Sequence, residues 1–258
     1  MCYGPSLVSH ADPEKRMFRS LLPLRLFSQR ELLERSLPAL QQVSYERMRA
    51  AGFNPSTIVD IGAYHGEWTR TVSKVFPSAQ IVMIEAMDEK RPILQAVAKS
   101  NPGISVKISL LGRSVNEERQ FSVMETGSSL YAERSDALRS VRLVKTQTLD
   151  STLSRNELRG PIFVKIDTQG AELEILLGAT ETLLKTEVVQ LELALLPYNE
   201  GAPLAADVIA FMDRIGFKLF DINGFVRPNG RDLAQIDALF ARENSSLRPN
   251  FFEFNHHN

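Results

Sequence analysis

Three carboxylates, Asp60, Glu85 and Asp167, carry the chemistry that is visible in the sequence. Each closes a run of apolar residues: Thr57-Ile58-Val59 before Asp60, Ile81-Val82-Met83-Ile84 before Glu85, and Ile162-Phe163-Val164-Lys165-Ile166 before Asp167. Runs of this kind mark strands covered on both faces of a parallel sheet, and ligands of open α/β sheets bind at the carboxyl ends of the strands. The three acids are therefore expected on one edge, placed to meet hydroxyl groups or a positive charge. Any one of them alone reads equally well as a turn or helix-capping residue. Three on one edge favour a small-molecule site. Gly62 and Gly66, just after Asp60, let the backbone turn sharply and approach a ligand closely. Glu85 follows that turn by about twenty residues, the distance at which a carboxylate accepts from both hydroxyls of a ribose.

The glycine spacing narrows the ligand. Gly62-x-x-x-Gly66 is not the G-x-G-x-x-G of a nicotinamide-binding turn, and the chain has no G-x-x-x-x-G-K-[ST] phosphate loop. An acid directly before the turn repels phosphate but suits an ammonium or sulfonium charge, a description that S-adenosylmethionine fits.

The elements that position these residues alternate. After the strand ending near Asp60 comes a helix from Glu67 to about Phe76, stopped by Pro77, then a strand over 79–85 and a helix from Asp88 to about Lys99. A third strand spans 104–111. This rhythm predicts a doubly wound parallel α/β sheet. From Gly112 it changes: 120–124 and 141–146 alternate around a polar loop, predicting an inserted hairpin-like segment, and 149–158 reads as a short helix. The strand over 162–167 is followed by a helix over 171–185, whose Leu173, Leu176, Leu177, Thr180 and Leu184 form a core-facing stripe. Strands at 188–193, 218–222 and 235–241 complete the sheet, with a helix over 204–215 ended by Gly216. Upstream, residues 1–27 read as an irregular arm, and Ser28-Gln29-Arg30-Glu31 as a capping box. A second helical pattern over 40–51 turns Leu40, Val43 and Arg47 to one face. These helices cover a sheet edge or wall a substrate cavity. The expected division is an N-terminal arm with helices over 1–52 and a main domain over 53–258.

Composition excludes several classes. Thirty basic and 31 acidic residues leave a formal charge of -1, so nothing argues for a nucleic-acid partner. The lone Cys2 cannot form an internal disulfide, no run approaches a membrane span, and the stretch from Leu21 to Phe27 is too short and too interrupted for a signal peptide. A cytoplasmic protein is expected. The adjacent His256 and His257 lack the further ligands that a metal site needs, and the spacing of Asp167, Glu192 and His65 does not demand a metal, so none is expected.

The segment Asp60-Ile61-Gly62-Ala63-Tyr64-His65-Gly66-Glu67-Trp68-Thr69 resembles the first motif of the FkbM family of S-adenosylmethionine-dependent methyltransferases, and residues 165–179 resemble that family's most distinctive segment. The Ser128-Ser129-Leu130 loop and the 235–240 strand fit its pattern too, so the resemblance covers about residues 56 to 242. It implies a Rossmann-like, seven-stranded class I methyltransferase sheet with the last strand antiparallel. It also implies O-methylation of a hydroxyl on a sugar, glycan or polyketide-like molecule. Two positions depart from the pattern: Ala86 stands where the family commonly has proline, and Tyr64 where it commonly has asparagine.

On this reading Asp60, Gly62, Ala63, Tyr64, Gly66, Glu85 and Ala86 contact the cofactor, with Asp60 and Gly62 near its methionine end. Asp167 is either the base that orients the acceptor or a cofactor-binding or helix-capping residue. His65 is the second candidate base, having a pKa suited to proton transfer. Ser128, Ser129 and Glu192 are candidates for the acceptor side, and Glu172 complements a helix dipole. The alternative function is a non-catalytic cofactor-binding or scaffold protein on the same fold.

Overall fold

The computed structural model describes residues 29–124, 128–132, 139–154 and 157–249, with backbone alone for 29–39. The expected arm over 1–27, the Ser28 cap, the loop positions Thr126 and Gly127, and the histidines of the tail lie outside the described residues. The chain forms two compact units, Met1–Leu37 and Pro38–Asn258.

Seven strands form one sheet in the order β3-β2-β1-β6-β7-β9-β8. β1 (Thr57–Ile61), β2 (Gln80–Glu85), β3 (Ile104–Ile108), β6 (Ile162–Ile166) and β7 (Thr186–Ala194) pair in parallel. The last strand, β9 (Gln235–Arg242), is inserted antiparallel between β7 and β8 (Phe217–Val226), as expected. The chain reverses at β1, running outward to β2 and β3 and returning to β6 on the other side. That reversal opens the crevice in which such sheets bind ligands. β4 (Glu118–Val123) and β5 (Ser140–Lys145) make the separate hairpin that alternation in the sequence predicted.

Both faces of the sheet are covered. One carries Val59, Ile61, Val82, Ile84, Val164 and Ile166, packed against α5 (Glu172–Leu177), α6 (Thr180–Lys185) and α7 (Ala205–Arg214). The other carries Ile58, Ile81, Met83 and Phe163 under the C-terminal half of α1 (Gln29–Ala50), α2 (Glu67–Val75) and α3 (Arg91–Lys99). Phe163 is fully buried there, edge-on to Tyr45, Phe53 and Trp68, and its truncation to alanine is expected to cost about 3–5 kcal/mol. α4 (Leu149–Thr152) is a single turn. Among the described residues no helix is long and apolar enough to cross a membrane.

Three sequence expectations are corrected. The two N-terminal helices are one, continuous through Pro38. Its inward face is Ser44, Tyr45 and Met48, while Leu40 and Val43 are each 42% exposed. The helix expected over 171–185 breaks at Gly178, where a Cβ would lie 2.3 Å from the carbonyl oxygen of Gly112. Leu177 and Leu184 face outward, and Ile175, Leu176, Ala179 and Leu183 form the packed stripe. The helix expected to reach residue 158 ends at Thr152.

Candidate active site

β1 runs into a turn whose shape is set by its neighbour. The amide of Gly62 donates to the Ile84 carbonyl at 3.0 Å, and that of Asp167 to the Ile61 carbonyl at 3.1 Å, binding the ends of β1, β2 and β6 together. A Cβ on Gly62 would stand 1.9 Å from the Asp167 carbonyl oxygen, and its φ of 75° is left-handed, so no other residue fits there. Tyr64 is left-handed as well, with φ 48°. Asparagine tolerates that conformation better than tyrosine, which gives the asparagine common at this position a backbone rationale. Here the Tyr64 ring stacks on the His65 imidazole at 3.8 Å, and Lys90 Nζ lies 4.2 Å from its centroid and 3.2 Å from His65 Nε2. Glu85 holds the turn from below. Its Oε2 accepts from the Tyr64 amide at 2.8 Å and its Oε1 from the Met87 amide at 2.9 Å.

Two cavities flank this turn. The first, about 280 Å³, is lined by Gly62, Tyr64, Glu85, Ala86 and Met87, by Ser109, Leu110 and Leu111 beyond β3, by Phe121 of the hairpin and by Ser128, Ser129 and Leu130. It is apolar on the hairpin side and acidic at Glu85. Ser109 Oγ is buried against it with no protein partner, so a ligand here would supply the bond that is missing. Ser128 and Ser129, expected on the acceptor side, border this first cavity and not the second. Their hydroxyls are occupied locally. Ser128 Oγ donates to the Met124 carbonyl, and Ser129 Oγ donates to the Gln169 carbonyl at 2.7 Å.

The second cavity, about 310 Å³, shares Gly62, Tyr64, Asp167 and Glu192 with the first. It adds Ala63, Glu67, Trp68, Lys165, Gln190, Phe225, Gln235 and Asp237, with Gln41 from α1. Register explains this polar lining. Asp60 pairs with Lys165, Lys165 with Gln190, and Glu192 with Asp237, so these side chains project from the same sheet face. Asp167, Glu192 and Gln235 stand two residues along from Lys165, Gln190 and Asp237 and keep to that face. This is also the face that carries Ile58 and Phe163 further back.

Lys165 organises the charges. Its Nζ lies 3.1 Å from Asp167 Oδ2 and 3.4 Å from Asp60 Oδ1, with its side chain 8% exposed. Burial works against its charge, but the two carboxylates outweigh it and raise its pKa. Burial also works against ionised Asp167, yet the Lys165 ammonium holds that carboxyl below the ordinary aspartate range. Glu192 is pushed well above the glutamate range by burial and by the negative charge of Asp167. The two carboxyls are thus pushed in opposite directions, Asp167 toward the ionised form and Glu192 toward the protonated one. Gln169 donates to Glu192 Oε2 at 2.6 Å and fixes its orientation. Asp237 is pushed up to about 6 by burial and by Asp167, against Lys165 and the bond from Gln41 at 2.9 Å. Under the turn after β6, Glu172 accepts from the amides of Thr168 at 3.0 Å and Gly170 at 3.2 Å. Burial nonetheless raises it to about 7.

The remaining sequence-predicted residues lie outside both cavities. Asp60 is fully buried; its Oδ2 accepts from Thr69 Oγ1 at 2.7 Å, and its other oxygen faces Lys165. His65 is engaged with Tyr64 and Lys90, and Gly66 packs toward Val97 of α3. Lys165, Gln190, Asp237, Gln41 and Ser109 were missed as site residues. The signal for the first three was a polar residue at every second position inside otherwise apolar strands. Gln41 and Ser109 have no comparable signal. Among the described residues no group of three or more His, Cys, Asp or Glu side chains could hold a metal ion.

Comparison with curated proteins finds no match. Solved structures resemble the chain at low identity. The methyltransferase FkbM from Methylobacillus flagellatus KT is 18% identical over 75% of this chain and 47% of its own, with a TM-score of 0.48. The chain thus spans about half the length of that protein. A precorrin-6y C5,15-methyltransferase from Geobacter metallireducens GS-15 is 12% identical over 86% of this chain and 93% of its own, with a TM-score of 0.43. M. capricolum TrmK, in complex with S-adenosyl-homocysteine, is 10% identical over 78% of this chain and 67% of its own, with a TM-score of 0.46. The model of the methyltransferase FkbM domain matches residues 60–219, well over half of the sequence, and the chain belongs to that family.

Proposed function

We propose that this chain transfers a methyl group from S-adenosylmethionine to a hydroxyl oxygen of a sugar, glycan or polyketide-like acceptor. The observation that carries the reading is the pair of cavities meeting at one wall of Gly62, Tyr64, Asp167 and Glu192, so that a donor in one and an acceptor in the other touch across it. The first cavity fits the donor's chemistry. Glu85 keeps acceptor capacity for ribose hydroxyls beyond the two amides it already holds, Ser109 Oγ has a bond to make, and Leu110, Leu111, Phe121 and Leu130 offer an apolar slot for a flat base.

The cofactor supplies a methyl carbon already activated on sulfur, which takes the electron pair of the breaking C–S bond as the acceptor oxygen bonds to carbon. The protein's work is then orientation, exclusion of water and removal of one proton. Asp167 takes that proton. It borders both cavities and is held toward the ionised form by Lys165, while burial and the charge of Asp167 push Glu192 the other way. Such a base contributes about 10²- to 10⁴-fold. His65 stands outside both cavities and takes no part in this reading.

Calorimetry tests the cofactor half. Saturable binding of S-adenosylmethionine, weakened by Glu85→Ala, is expected; no binding at millimolar cofactor would overturn the proposal. The acceptor half is tested by mass spectrometry of metabolites and glycans from cells with and without the protein, where one species should differ by one methylene.

A further inference from the structure

We infer that the acceptor is a neutral 1,2-diol, in which Asp167 takes the hydroxyl to be methylated and Lys165 binds the oxygen on the neighbouring carbon. This rests on the proposed methyl transfer and specifies what its second cavity accepts.

Lys165 is the one cationic side chain among the described residues lining that cavity. Its ammonium has three N–H donors and no acceptor. Asp167 and Asp60 occupy at most two of them, so at least one donor is left for a ligand. An acceptor with an isolated hydroxyl would satisfy Asp167 and turn a C–H toward this ammonium, leaving a desolvated donor without a partner. A second oxygen on the next carbon removes that cost. The spacing agrees: Lys165 Nζ and Asp167 Oδ2 are 3.1 Å apart, and a gauche diol holds its two oxygens about one hydrogen-bond length apart. One oxygen donates to the carboxylate and the other accepts from the ammonium, side by side.

The remaining lining excludes an anion. Asp167, Asp237 and Glu67 face the same space, and the single ammonium is already matched by two carboxylates. A phosphate or carboxylate on the acceptor would meet net negative charge at short range. The apolar side of a ring has a place to rest. Trp68, held by its Nε1 donating to Tyr45 Oη at 2.7 Å and by edge contact with Phe163, lines the cavity with Phe225 and Ile236.

The experiment compares methyl pyranosides, their monodeoxy analogues and the matching uronates with S-adenosylmethionine in excess, reading S-adenosylhomocysteine release and product mass. The expected result is methylation of at least one neutral diol. Its kcat/KM should exceed those of both deoxy analogues by at least about tenfold, with no transfer to the uronate. Lys165→Met should shrink the advantage over the analogue lacking the neighbouring hydroxyl to within about twofold, while the uronate remains excluded. The wild-type comparison stands alone if that variant does not fold. The inference is overturned if a deoxy analogue lacking the neighbouring oxygen is methylated equally well, if the uronate is preferred, or if the cofactor binds and no diol is methylated. The last result would leave cofactor binding intact, whereas failure to bind S-adenosylmethionine at all would overturn the proposed function itself.

Discussion

Replacing Glu85 by glutamine separates two jobs that one side chain performs. Glu85 Oε2 accepts from the Tyr64 amide at 2.8 Å and Oε1 from the Met87 amide at 2.9 Å, with the residue 5% exposed. Glutamine has a single carbonyl oxygen. In either orientation its NH₂ faces a backbone N–H, so one buried donor loses its partner at a cost of about 1–3 kcal/mol. If that donor is Tyr64, the cost falls on a turn already strained by a left-handed tyrosine with φ 48°. The second job is binding. Each charge-assisted bond from a ribose hydroxyl contributes about 1.5–3 kcal/mol, so losing one weakens cofactor affinity by roughly 10- to 150-fold. Denaturant unfolding reads the first effect and calorimetry with S-adenosylhomocysteine the second, and Glu85→Ala should be at least as impaired in both. A glutamine variant that unfolds at the parental midpoint and binds with parental affinity would refute the reasoning. Loss of stability with unchanged affinity would refute the ribose contact alone.

Asp167→Asn is expected to lower kcat by about 10²- to 10⁴-fold, with cofactor affinity changed far less, in steady-state assays on a methylated acceptor. Glu172, raised by burial to about 7 from an ordinary 4.5, is held protonated more firmly in the folded chain than in the unfolded one. The stability it contributes is thus complete below its unfolded value and lost as pH rises through about 7, an effect on the order of 3 kcal/mol. Asp237, raised to about 6, adds to it with the same sign. Glu172→Gln should flatten the fall in denaturation midpoint between about pH 5 and about pH 8, and an unchanged slope would exclude this source. Gly62→Ala should cost about 1–2 kcal/mol from its φ alone, with more from a Cβ 1.9 Å from the Asp167 carbonyl oxygen. A melting temperature equal to the parent's would show that the turn is not built as described.

The sheet was legible because apolar runs are local. Ile58-Val59, Ile81-Val82-Met83-Ile84 and Ile162-Phe163-Val164 each announce a buried strand without reference to the others, and the acids that end them follow. The helix break at Gly178 was not legible, because the groups that meet it are far away in sequence: the carbonyl of Gly112 leaves no room for a side chain at 178, and Asp150 accepts from the amides of Glu181 and Thr182. The inward face of α1 escaped for a related reason. Ser44 and Tyr45 look polar or amphipathic, and become core-facing only because Asp221 and Gln190 wait across the gap, at 2.5 and 2.6 Å. The second cavity is the extreme case. Lys165, Gln190 and Asp237 stand out in their own strands as polar residues at alternate positions, but which of them meet is set by cross-strand register, and that is not written in the periodicity of any single segment.

Register also separates three acids that the sequence presents as equivalent. Asp60 stands directly beside Lys165 and donates nothing to either cavity; with Thr69 Oγ1 on one oxygen and the ammonium on the other, it serves as a buried counter-charge. Glu85 spends its oxygens on two backbone amides and faces the first cavity. Asp167 stands two residues beyond Lys165 on the same face, where the sheet ends and the cavities begin, so it alone has both a cation behind it and open space in front. Asp60 and Asp167 both lie against the ammonium as counter-charges, and its three donors exceed what they take. The sheet thereby presents a carboxylate and an N–H donor side by side, and a buried residue that touches no cavity sets the polarity of one that does.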